Sequence, residues 1–447
     1  MTSRKVAYSL ASLPSALLYG AFFTFVMFFY VDQLKMPLAQ YSLAMVIFSI
    51  WNAINDPLAG QLSDRTRTKW GRRTPYIALG SLPLALSFIL LWTPPSAVTA
   101  MGGMTFFIYF LLVICLFDTL YTVVILNWTA LFPEMYPSLD ERAQVSAFRQ
   151  VFGIIGQILA VTLLPILSEA LGYGQMGLIF ATVAFVFLMV SLWGSQERRE
   201  FQHDEAISIV DSLKYTFNNW SFVTFVAVSL FIQLSFVLLQ AAIPFYAKYA
   251  LGLGGSGVSL LLGVIFVTAI PMVYLWQRVT IRLGARKAML WALLGFGLAL
   301  QPFFLANSLA AAAITGVAIG STLAGVLILI DILLADVVDE DELRTGARRE
   351  GIYFGMNALM IRLGVALQAV ITAAVLQATG YNADLALQPA SAILGIRLLV
   401  TVIPLASIAI ALIALHYYPL HGGRLEEVKG RVAELHARKA ARGTEVL

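Results

Sequence analysis

Long apolar runs recur along this chain, separated by short polar segments. A helix needs about 20 mostly apolar residues to cross roughly 30 Å of hydrocarbon. That rule predicts twelve helical spans, at about 6–31, 40–62, 75–94, 103–132, 143–170, 174–194, 219–247, 256–277, 287–306, 309–334, 351–379 and 392–417. The longest internal polar stretch, 195–218, lies close to the midpoint. The expected organisation is an all-α membrane protein with a six-helix bundle at 1–194, a cytoplasmic linker at 195–218, a second bundle at 219–417 and a basic tail at 418–447. In the tail, Leu425, Val428, Val432 and Leu435 share one helical face. The tail then either lies on the cytoplasmic membrane surface or is a solvated tail with some helix.

The halves echo each other. SDRTRTKWGRR follows the second span and RVTIRLGARK the eighth. Acidic connections, PEMYPSLDER and ADVVDEDELR, precede the fifth and eleventh spans. Repeats of this kind characterise secondary transporters, whose solute site lies near the midplane between halves. Orientation follows from Lys and Arg. Arg65, Arg67, Lys69, Arg72 and Arg73 lie in one connection, Arg278, Arg282, Arg286 and Lys287 in a second, and Arg344, Arg348 and Arg349 in a third. With both termini cytoplasmic, all three face inward, and Lys35, Lys248 and Arg397 lie outside. The opening stretch to Val31 reads as a retained first span rather than a cleaved leader.

Composition sharpens this reading. The chain has 447 residues, 60% hydrophobic and 12% charged, against about 25% charged in soluble domains. A single cysteine, Cys115, rules out a disulfide framework, and no long basic arm suits nucleic acid. The four histidines are scattered, and neither a nucleophile–base pair nor a metal motif appears, which argues against an enzyme. A P-loop for an ATP-driven pump is also missing. No resident cofactor is expected, nor any metal beyond a transported sodium ion.

A charge at the bilayer centre costs about 2.5–3.5 kcal/mol even on insertion scales, so each one needs a partner or a cavity. Asp56, Asp118, Arg149, Asp331 and Arg362 fall within the spans. Asn52 and Asp56 share a helix face, and Pro57 loosens the backbone after them. Asn52, Asp56 and Asp118 are the expected coupling-ion site, with pairing to an arginine as the alternative for each carboxylate. Arg149 and Arg362 occupy related places in the halves, and their planar donors suit hydroxyls, carboxylates or phosphates. Asn127, Trp128, Gln233 and Gln240 are further candidates for contacting the solute; packing or polar contact between helices would equally explain them. Asp331 reads as structural or gating. Gly60, Asp64, Arg65, Gly71, Arg72 and Arg73 form a cytoplasmic loop expected to latch to acidic helix ends. Gly60 would permit close helix approach, and Asp336 and Asp339 would be the matching acids.

These segments resemble a known family. Gly60, Asp64, Arg65, Gly71, Arg72 and Arg73 look like the signature loop of the major facilitator superfamily. WNAINDP, PEM…DER…FRQVFG and ADVVDEDELRTGARREGIYFG are similar to its glycoside–pentoside–hexuronide:cation symporters, and the likeness covers nearly the whole chain. The resemblance implies a twelve-helix major-facilitator fold and alternating access, with a glycoside or similar solute coupled to protons or sodium. Asp56 matches one cation-site carboxylate of the second span, while the other falls at Asn52. The sugar carriers' acids in the first and fourth spans fall at Ala16 and Ile125. Arg149 matches an arginine, and Arg362 stands where a lysine would. Asp118, two turns before Ile125 on the same face, would replace the lost acid. A lysolipid-transporting branch of the family carries an acid in this region too.

The expected function is therefore symport of a carbohydrate-like solute by a monomer in a bacterial-type inner membrane. Transport of a lysolipid or other amphiphile is the alternative. A non-transporting receptor or scaffold is disfavoured, because it would gain nothing from buried charges and repeated halves.

Overall fold

Backbone polar groups find no water in hydrocarbon, so a chain this apolar has to close its hydrogen bonds within helices. The computed structural model, which describes residues 2–136, 138–195, 219–345 and 350–444, is helical over most of that length. Its helices are α1 (Thr2–Ser9), α2 (Ser12–Met27), α3 (Leu38–Arg65), α4 (Thr74–Trp92), α5 (Ser96–Met101), α6 (Gly103–Met135), α7 (Leu139–Leu171) and α8 (Tyr173–Gly194). They continue as α9 (Trp220–Phe245), α10 (Gly255–Leu283), α11 (Ala285–Leu300), α12 (Leu309–Thr345), α13 (Glu350–Ala378), α14 (Ala390–Val400), α15 (Val402–His416) and α16 (Gly422–Thr444). Two π-helical turns, Phe28–Gln33 and Tyr246–Ala250, extend α2 and α9. The expected linker lies outside the described residues apart from Ser195, as do Arg348 and Arg349.

Among the described residues, 11 helices are long and apolar enough to cross a membrane. The predicted second span forms α3, 28 residues long, which does not join them. Gln40, Asn52, Asn55, Asp56 and Gln61 make it too polar. The surface is the inverse of a soluble protein's. Along α4, Leu79, Leu82, Leu86 and Leu90 form an exposed stripe at spacings of three and four, while Asn52, Asn55 and Asp118 are buried. Apolar side chains outside and polar ones inside fit a lipid surround.

The chain divides into two compact units. The first holds α1–α8 together with Gln240–Gly263 and Ala366–Ile396. Its core is aromatic: Phe117 of α6 lies 5.6 Å from Phe22 and 5.7 Å from Phe88, ring centre to ring centre. Close approach rests on glycine. Gly156 of α7 lies against the backbone carbonyl of Leu13 in α2, where a methyl group has no room. Helix α7 starts with a side-chain N-cap: the Ser138 hydroxyl accepts the Glu141 amide, and the Glu141 carboxylate lies 3.1 Å from Lys5 Nζ. At the end of α6, Glu134 Oε1 pairs with Arg72 at 2.5 Å and Arg73 at 2.6 Å. Arg72 and Glu134 are both buried.

In the second unit, Ser229 of α9 donates to Asn357 of α13 at 2.7 Å. Hydroxyls of Ser235 and Ser407 bond across α9 and α15 to the carbonyls of Pro404 and Phe231. The tail forms α16 and docks on the end of α12. Val428 and Val432 are buried. Arg424 reaches Glu340 at 2.7 Å and Lys429 reaches Asp336 at 3.2 Å, so buried acids on α12 draw the basic helix onto protein.

Gly156→Ala should destabilise by about 1–3 kcal/mol through overpacking, read as a lower melting temperature in detergent. Gly153→Ala, where nothing lies within 4 Å, should leave stability equal or slightly raised. Glu134→Leu removes the carboxylate that Arg72 and Arg73 share and should cost about 3–5 kcal/mol in the same measurement. An unchanged melting temperature in Glu134→Leu would refute a structural role for that pair.

Candidate functional site

Three helices of the first unit converge on Asp118. Each contributes groups one turn apart: Ser15 and Tyr19 from α2, Asn52, Asn55 and Asp56 from α3, and Asp118, Tyr121 and Thr122 from α6. Asp118 is fully buried. Its Oδ1 accepts the Tyr19 hydroxyl at 2.8 Å and the Asn52 amide, and its Oδ2 accepts the Asn55 amide at 3.1 Å. Tyr19 stacks on Tyr121 with ring centres 3.7 Å apart, and Tyr121 shares a hydrogen bond with Ser15. Asp56 is half-buried and accepts the Thr122 hydroxyl at 2.9 Å. The two carboxylates are close enough for their charges to interact.

The structure brings together Asn52, Asp56 and Asp118, and with them Asn55, Tyr19, Tyr121, Thr122 and Ser15. Asn55 was visible in the WNAINDP motif, three residues after Asn52. For Tyr19 and Tyr121 the sequence offered no polar periodicity to follow.

Arg149 lies apart from this nest. Its guanidinium stacks 4.5 Å from the Trp128 ring centre and 4.9 Å from that of Phe132, ten or more residues further along α6 than Asp118, or about 15 Å of helix. Trp128 is buried and donates its Nε1–H to the Tyr8 carbonyl, while the Tyr8 hydroxyl donates to the Trp128 carbonyl. The Asn127 amide returns to the Val123 carbonyl of its own helix. These groups brace α1 and α6 and give Arg149 an aromatic shelf. In the second unit, Arg362 on α13 is half-buried, and Gln233 on α9 packs near Gly364, two residues beyond it. Gln240 is buried in the first unit, so the two glutamines expected on one face belong to different units.

The loop residues find partners within their own units. Arg72 and Arg73 close on Glu134, which the sequence reading held only as part of a motif. Gly71 has a φ of 104°, a backbone that favours glycine, and forms the bridge with Thr68. The close approach expected at Gly60 is not there, since a Cβ would meet only Leu126 at 3.8 Å, an ordinary contact. Arg65 is exposed, and the Asp64 side chain lies outside the described residues. Asp336 is held by Lys429, Asp339 is half-buried beside it on α12, and Asp331 is exposed.

One buried acid was missed altogether. Asp32, in the π-helical turn after α2, is fully buried and accepts from Lys248 Nζ at 2.6 Å, the Tyr381 hydroxyl at 2.7 Å, the Tyr249 hydroxyl and the Gln33 amide. It fell at a predicted span end, where a carboxylate usually meets water. Beside it lies a cavity of about 340 Å³ lined by Phe28, Leu164, Glu169, Tyr173, Lys248 and Leu253, all in the first unit.

Comparison with known proteins agrees with the fold and motifs. The chain is 27% identical to an isoprimeverose transporter of Lactiplantibacillus pentosus, over 93% of this chain and 88% of that protein. It is 25% identical to sodium-dependent lysophosphatidylcholine symporter 1-A of Danio rerio, over 94% and 86%. The solved nucleoside transporter NupG superposes with a TM-score of 0.70 at 14% identity, covering 93% of this chain and 99% of that one, a likeness of fold. The family described as MFS/sugar transport protein matches residues 7–422. With its apolar spans and symporter relatives, the chain is an integral, multi-pass membrane transporter of the symporter kind and not an enzyme. It belongs to the MFS/sugar transport protein family, among the glycoside–pentoside–hexuronide:cation symporters of the major facilitator superfamily.

Proposed function

We propose that this protein couples the uptake of a carbohydrate-like solute to a proton or sodium gradient, with Asp56 and Asp118 as the coupling-ion site. The observation that carries the reading is Asp118, wholly buried yet bonded to both asparagines of the helix that bears Asp56. The ion neutralises the pair and favours, by differential affinity, the conformation that binds solute. Arg149 and Arg362 orient the solute in alternating access between the halves 1–194 and 219–417. Residues 38–65 are the twelfth span in this reading. Twenty-eight helical residues reach about 42 Å, enough to cross, with the polar groups turned to the nest. Both termini are cytoplasmic, the membrane is a bacterial-type inner membrane, and the protein works as a monomer. The sugar is favoured by the names of bacterial relatives, an isoprimeverose transporter and a putative glycoside/cation symporter. A lysolipid is the second reading, favoured by the lysophosphatidylcholine symporters and by Arg149, whose aromatic shelf leaves its donors for a phosphate.

Proteoliposome uptake across a panel of sugars and lysolipids, under imposed proton or sodium gradients, tests this. Asp56→Asn should lower gradient-driven accumulation tenfold or more while leaving exchange measurable. Asp118→Asn should do the same, because a neutral amide cannot take up the ion's charge. Unaltered accumulation in either variant removes that residue from the coupling site.

A further inference from the structure

A carboxylate with no exposed surface, four donors and no part in the ion site calls for a separate role. Asp32 gathers donors from three places far apart in the chain: Gln33 beside it, Lys248 and Tyr249 in the π-helical turn after α9, and Tyr381 just beyond α13. All lie in the first compact unit. Burial and the Asp32 charge push the Tyr381 phenol well above its ordinary pKa, so it remains a donor. Three residues on, Lys35 donates to the Ala383 carbonyl, clasping the same connection. Lys35 has a φ of 60°, a left-handed backbone uncommon outside glycine, and among the described residues it alone of the non-glycines is so placed. At this end of the unit Glu169, at the end of α7, accepts the backbone amide of Gly255, the first residue of α10.

We propose that Asp32 is the pin of an outer gate, and that its carboxylate has to let go of Lys248, Tyr249 and Tyr381 before solute enters from the side opposite the N-terminus. The proposal rests on the transport reading and on cytoplasmic termini. The pin is built to release. The Lys248 side chain is 37% exposed and lines the neighbouring cavity, so once freed its ammonium is solvated rather than stranded. Asp32 has no such outlet. Losing its negative charge weakens three bonds together, whereas losing Lys248 leaves the phenols and the Gln33 amide in place. The expected order of opening is therefore Asp32→Asn above Lys248→Met.

The test reads accessibility and needs no solute. In a Cys115→Ser background, Met27→Cys places a thiol five residues deeper on α2, beside Gln368 of α13. A membrane-impermeant maleimide, added from the outer side of the reconstituted protein, should label it slowly. Adding Asp32→Asn should raise the initial labelling rate tenfold or more, with Lys248→Met and Tyr381→Phe giving smaller rises. Equal labelling with and without Asp32→Asn overturns the gate. If Asp32→Asn does not fold, as judged by melting in detergent, Lys248→Met and Tyr381→Phe decide, and unchanged labelling in both overturns it. Failure of the uptake assay alone counts against the transport reading, since labelling is independent of solute and gradient.

Discussion

An ionised carboxylate without water must have its lone pairs filled by donors, and this requirement shapes the first unit of the molecule. Asp118 and Asp32 are both fully buried. Asp118 is filled by one phenol and two amides from α2 and α3. Asp32 is filled by an ammonium, two phenols and an amide from three stretches of chain. In each case helices distant in sequence are bound to one point because one residue cannot be left unsatisfied.

The two acids are satisfied by different chemistry, and that difference suits different tasks. Asp118 accepts from the neutral donors Tyr19, Asn52 and Asn55. Asp32 has an ammonium of its own within 2.6 Å, so its charge is already balanced and serves attachment. A third arrangement closes the opposite end of the unit, where two arginines share Glu134. Aromatic packing through Phe22, Phe88 and Phe117 carries no charge.

Glycine and serine set how closely the helices approach. Without a hydrophobic drive between helices in lipid, contact depends on fit and on short hydrogen bonds. Gly156 against Leu13 in the first unit and Gly320 against Ile265 in the second are the same device, a glycine laid on a neighbour's carbonyl. Serine hydroxyls of α9 and α15 do comparable work by bonding across to backbone carbonyls.

The sequence by itself determined the class and most of the helices, and it singled out Asp56 and Asp118 as candidate acids. Hydrocarbon thickness fixes span length, and the cost of a charge in lipid makes Asp56 and Asp118 stand out against an apolar background. Tertiary structure decided what each charged group touches. Arg149 was legible as a buried cation, but its aromatic shelf on Trp128 and Phe132 was not, because cation–π contact leaves no spacing signature. Tyr19 and Tyr121 read as ordinary aromatic residues until a carboxylate from another helix met the Tyr19 hydroxyl. The tail's apolar face was visible, yet only the acids on α12 settled that it docks on protein. Asp32 sat at a span boundary, where hydropathy reports exposure; its burial comes from Lys248, Tyr249 and Tyr381, more than 200 residues away. Local pattern records the solvent each segment needs, whereas pairing between distant segments exists only once the helices are packed.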